Sequence, residues 1–154
     1  MGDLQEALQK YRAAHSAYAK GLELTPPEKL RNALNFYLAM LEMSEFSNPD
    51  KGDTFFQLLP INSPEALNLQ ALQALQARRL DRAIELTGQI IASQAGQEMK
   101  GWAFYLAART WTKLGNEDKR FEALFFAINH ARGHGLVDRI TRFWEQLKTQ
   151  PAQQ

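Results

Sequence analysis

His130 and His134 stand four residues apart, the spacing that puts two imidazoles on one face of a helix as metal ligands. Gly133 and Gly135 flank His134 and are expected to end the helix there, and no carboxylate pattern completes a site. No metal is therefore expected. Arg109 and Lys113 are also spaced four apart, and like charges so placed repel slightly, so they attract an anion or stay solvated. Arg78, Arg79 and Arg82 form a local basic cluster with Asp81 and Glu85 as partial partners. Arg139 and Arg142 join it only if the fold brings them together. His15 lies at the edge of an apolar helix face and reads as a half-buried packing residue. Glu117-Asp118 open a helix and so complement its dipole. There is no phosphate-binding glycine loop, no nucleophile elbow and no H-E-x-x-H pair. The expectation is a non-enzyme with no catalytic residues, no metal and no cofactor.

The elements that must position these residues are read from composition and periodicity. The chain has 154 residues, long enough for a continuous core, and 45% of them are apolar. Eighteen basic and seventeen acidic residues leave a net charge of +1, which offers no global attraction to nucleic acid or anionic lipid. The charge runs from −2 over residues 1–60 to +3 over 61–154, too mild a gradient to name a partner. Absence of cysteine excludes disulfides and thiol nucleophiles and suits a reducing cytoplasm. The N-terminus lacks the apolar core of a signal peptide, Glu6 breaks the myristoylation pattern, and nothing approaches a membrane span.

Helical spacing predicts seven helices and no strand. The first, Asp3 to Leu24, places Leu4, Leu8, Tyr11, Tyr18 and Leu22 on one face, with Asp3 as cap. Thr25-Pro26-Pro27 starts the second, capped by Thr25, whose inward positions are Leu30, Ala33, Leu34, Tyr37, Leu38 and Leu41. Residues 46–64 break the pattern with three prolines and three phenylalanines, and Asp53 is expected to cap a short turn over 54–59. Phe55, Phe56, Leu58 and Leu59 are too apolar for a solvated linker. They plug the core, fill a groove as a built-in ligand, or dock on another subunit. The third and fourth helices, 65–78 and 81–93, bury Leu67, Ala71, Ala74 and Leu75, then Ala83, Ile84, Leu86, Thr87, Ile90 and Ile91. The fifth, 99–114, carries Trp102, Phe104, Tyr105, Ala108 and Trp111, and Gly115-Asn116 stops it. The sixth carries Phe121, Leu124, Phe125, Ala127 and Ile128 and ends at 132–135. The seventh, 136–148, turns Leu136, Ile140, Phe143, Trp144 and Leu147 to one side and Asp138, Arg139, Arg142, Glu145 and Lys148 to the other. Residues from Pro151 on form a frayed tail.

The two hairpins at 65–97 and 98–133 resemble tetratricopeptide (TPR) repeats, helix–turn–helix units of about 34 residues with small residues where the helices touch. Counting from Pro64, Leu67, Ala71, Ala74, Leu80 and Ala83 fall on the family's apolar or small positions. Counting from Gly101, Phe104, Ala107, Ala108, Trp111, Gly115, Leu124 and Ala127 do so. Arg78 and Arg120 depart from the pattern, and the closing proline is absent. Residues 1–45 read as a third, degenerate hairpin, and 135–149 as a capping helix. The expected fold is thus one all-α domain over 1–150, a stack of antiparallel helix hairpins. In this family the first helix of each pair lines a concave groove for a peptide or partner helix. The resemblance implies that Tyr11, His15 and Tyr18, then Asn68, Leu72 and Gln76, then Trp102, Tyr105, Arg109 and Lys113 line it. The implied function is protein–protein interaction, as an adaptor or small dedicated chaperone with a protein or peptide partner. The alternatives are a homodimer through residues 46–64 or the last helix, and a nucleic-acid-binding regulator using the arginine clusters.

Overall fold

The computed structural model describes residues 2–131 and 135–149. Eight α-helices and no strand occur among these residues: α1 (Gly2–Glu23), α2 (Glu28–Met40), α3 (Pro49–Phe56), α4 (Pro64–Gln76), α5 (Leu80–Ala92), α6 (Gln97–Leu114), α7 (Glu117–His130) and α8 (Leu136–Thr149). The all-α hairpin architecture is therefore present, with one helix more than periodicity predicts. The chain divides into two compact units, residues 1–69 and 70–154. None of the described helices is long and apolar enough to cross a membrane. The expected break at 132–134, including His134, and the tail from Pro151 lie outside the described residues, as does the side chain of Asp3.

The extra helix is α3. Pro49 opens it at a first-turn position, where a missing N–H costs nothing. Asp53 is inside this helix, accepting a hydrogen bond from Gln57 Nε2 at 3.1 Å, and is not a cap. Nor does Thr25 cap α2: it takes a left-handed φ of 46°, and Pro27 precedes the helix. Where the sequence offers stronger signals, local chemistry agrees. Ser63 Oγ accepts from the Ala66 N–H at 3.1 Å and caps α4. Gly115, with φ 76°, ends α6, and Asn116 Oδ1 accepts from the Lys119 N–H at 3.0 Å to begin α7.

In the first unit α2 packs between α1 and α3. Its segment Leu34–Met40 is buried on every side, and burial continues through Leu41, Glu42 and Met43. A Cβ on Gly52 of α3 would collide with the Met43 side chain and meet the Ala39 carbonyl oxygen at 3.4 Å, so glycine sets the α2–α3 approach. Leu30, expected inward, is half exposed, and the other residues of the first turn of α2 are exposed too.

In the second unit α6 holds the corresponding place, packed by α5, α7 and α8. Gly101 is the tightest point. A Cβ there would lie 2.8 Å from the His130 carbonyl oxygen and 3.0 Å from Leu136 Cδ2. The oxygen belongs to backbone and cannot swing away, so Gly101→Ala should destabilise the fold by about 1–3 kcal/mol despite alanine's better helix propensity. Urea denaturation followed by circular dichroism checks this. No loss would mean that the end of α7 is not seated on α6.

Candidate functional site

Two of the four expected groove residues on α6, Trp102 and Tyr105, lie against α8. Trp102 has no exposed surface and Tyr105 is buried. The Arg139 guanidinium lies 5.1 Å above the Trp102 ring, and the Phe143 ring meets Tyr105 edge-on at 6.1 Å. Leu136 and Ile140 complete the cover from the same helix. A ligand reaches Trp102 and Tyr105 only if α8 leaves. Farther along α6 the row opens: Arg109 is half-buried over the Tyr105 ring at 5.7 Å, and Lys113 is exposed. On α4, Asn68 and Leu72 are fully buried, and Gln76 is exposed. On α1, Tyr11, His15 and Tyr18 are half-buried, and Tyr18 stacks on Tyr37 at 5.1 Å. Of the ten residues, Asn68, Leu72, Trp102 and Tyr105 are therefore buried, and Gln76 and Lys113 are exposed.

The accessible apolar surface of the second unit is on α7. Ala123, Leu124 and Ala127 face inward, the two alanines allowing close approach of the helices. This leaves Phe121, Phe125 and Ile128, carried by the same helix, on the outside, where Phe125 is 63% exposed. Their spacing of four and then three makes one continuous stripe. Phe126 flanks it, stacked on Phe104 at 5.2 Å and edge-on to Phe125 at 5.7 Å. Trp144 of α8 extends it, its ring 6.2 Å from that of Phe121. Cations rim the face: Arg120 lies 4.7 Å over Phe121 and Lys148 lies 5.9 Å over Trp144. Such aromatic surfaces with basic edges have the residue types that dominate interface energies.

The first unit holds a polar cleft of about 500 Å³. Leu8, Arg12 and His15 line it from one face of α1, Glu42 and Glu45 from the chain after α2, and Lys51 from α3. After α2 the helix widens into a π-turn over Leu41–Glu45, closed by the Phe46 N–H donating to the Leu41 carbonyl at 2.9 Å. Ser44 Oγ donates to the Met40 carbonyl at 2.6 Å within this distortion. Ser47 then reverses the chain with a φ of 51°, and the Asn48 N–H donates to the Glu42 carbonyl at 2.6 Å. The result is a nearly buried carboxylate on Glu42, its side chain 6% exposed, with Oε2 at 3.0 Å from His15 Nε2. The His15 ring is flanked by Phe46 at 5.9 Å and Phe55 at 6.1 Å. Phe55 and Phe56 of the 46–64 segment are accordingly half-buried, whereas Leu58 and Ile61 after α3 are exposed.

The half-burial of His15 matches the expectation from sequence, which does not include its partner Glu42. The available signal was Glu42 as the one charge in the run Leu34–Met43. A charge inside an otherwise apolar helix needs a partner or a task.

The arginine cluster is exposed, with Glu85 as a partner as the sequence suggests. Arg139 is buried against Trp102, and Arg82 is engaged by Glu85 at 2.7 Å. His130 Nδ1 donates to the Phe126 carbonyl at 2.9 Å. Among the described residues no three His, Asp or Glu side chains converge as a metal site. No family model, curated protein or solved structure matches the chain.

Proposed function

We infer that the chain is a protein–protein interaction module, an adaptor or small dedicated chaperone that holds a helix of its partner. The observation that carries this reading is the exposed stripe of Phe121, Phe125 and Ile128 on α7, continued by Trp144. Apolar side chains at this spacing fit the matching stripe of a partner helix. Aromatic anchors supply affinity there, and Arg120 and Lys148 at the rim supply orientation. The helix–turn–helix units with small residues at their contacts, on which the TPR resemblance rests, support the same class. The docking face differs from the family's groove, because α8 occupies that side of α6. Self-association is the second reading, favoured by Trp144, which brings the last helix into the exposed face.

The test is affinity capture with wild type and with Phe125→Asp, whose altered side chain is exposed and leaves the core intact. One stoichiometric partner should be captured by wild type. The variant should hold it at least about 30-fold more weakly, the loss of a hot spot of about 2 kcal/mol. Equal capture by both refutes the assignment of this face. Sedimentation at micromolar concentration separates the second reading: a wild-type dimer that Phe125→Asp converts to monomer replaces the adaptor with a self-assembling protein.

A further inference from the structure

We propose that the cleft of the first unit is a binding site for a small ligand bearing an oxyanion, a carboxylate or phosphate group, held between Arg12 and Lys51 beside His15. The cleft is built rather than incidental. Its floor is a carboxylate that the fold keeps nearly out of water, on a π-turn that exists only because the helix departs from its regular hydrogen bonding. π-turns of this kind recur at functional sites, since a regular helix is the lower-energy alternative for the same residues.

The charge arrangement selects the ligand. The two acids in the cleft are engaged within the protein: Glu42 by His15, and Glu45 with Ser44 Oγ at 3.4 Å among its contacts. The two cations are not. Arg12 and Lys51 both line the cleft and are exposed, and neither makes a hydrogen bond or ion pair with a described residue. A carboxylate or phosphate entering the cleft meets two cations that no described residue engages, one with the planar fork that pairs with oxyanions through two parallel bonds. A cationic ligand would instead have to displace His15 from Glu42. The contact of His15 Nε2 with Glu42 Oε2 at 3.0 Å fixes the ring in the wall of the cleft. The ring of Phe46 and the side chain of Leu8 provide an apolar wall for the body of the molecule.

The experiment follows the ring resonances of His15 by NMR in the full chain during titration with inorganic phosphate, with acetate, and with sodium chloride at matched ionic strength. His130 and His134 serve as internal references. The expected result is a saturable shift of His15 alone, with phosphate identifying a phosphate ester and acetate a carboxylate as the class of ligand. Arg12→Gln and Lys51→Gln, both at exposed positions, should each weaken that binding by roughly tenfold. Shifts that grow linearly and equally with sodium chloride, or saturable shifts that neither variant alters, overturn the proposal.

Discussion

Trp102→Ala should cost about 3–5 kcal/mol of stability, the largest loss expected from any single truncation in the second unit. Trp102 is fully buried in the second turn of α6, the helix on which α5, α7 and α8 pack. Truncation removes its contacts and leaves a cavity that a helix pinned by Gly101 cannot close by sliding. It also strips the Arg139 guanidinium of the ring beneath it, leaving a buried cation without its cation–π contact. Urea denaturation measured by circular dichroism gives the value, and Trp102→Phe, which retains most of the apolar area, should lose less than half as much. If Trp102→Ala were instead nearly neutral, the ring would be accessible, and the groove implied by the TPR resemblance would be open after all.

The contrast between α6 and α7 explains how much of the site was legible. On α7 two apolar stripes lie side by side: Ala123, Leu124 and Ala127, and Phe121, Phe125 and Ile128. Periodicity detects that both exist and cannot tell which one faces the core. Residue size suggests that the larger stripe is buried. The structure buries the smaller one, because alanines let α7 approach α6 at Gly101 more closely than phenylalanines would. Trp102 and Tyr105 were placed in an open groove because the family presents those positions, and nothing local to α6 announces that α8 will cover them. That information lies in α8, where Arg139 was assigned to the solvent face and is instead buried against Trp102. Helix ends needed no such long-range knowledge. Ser63 and Asn116 act through hydrogen bonds within a few residues, and Gly115 stops α6 where the sequence predicts a stop.

Phe36→Ala should likewise cost about 3–5 kcal/mol, although no amphipathic reading of α2 would single it out. The stripe Leu30, Leu34, Tyr37, Leu38 and Leu41 predicts one buried face, and Phe36 projects from the back of it. Yet Phe36, Leu38 and Ala39 are all fully buried, and the ring of Phe36 meets Tyr37 edge-on at 5.7 Å. A helix enclosed on all sides must be apolar all round, and the run Leu34–Met43 departs from that only at Asn35 and Glu42. The run was therefore readable as a central helix, once continuity of apolar residues was weighed above their period. Leu30→Ala is the matched control: it lies on the predicted stripe but is half exposed, and should change stability by no more than about 0.5 kcal/mol. A large loss at Phe36 with almost none at Leu30 establishes an enclosed helix. The reverse order would mean that α2 packs through one face only. The π-turn that follows it, and the cleft that the turn supports, would then lack the rigid base that holds Glu42 against His15.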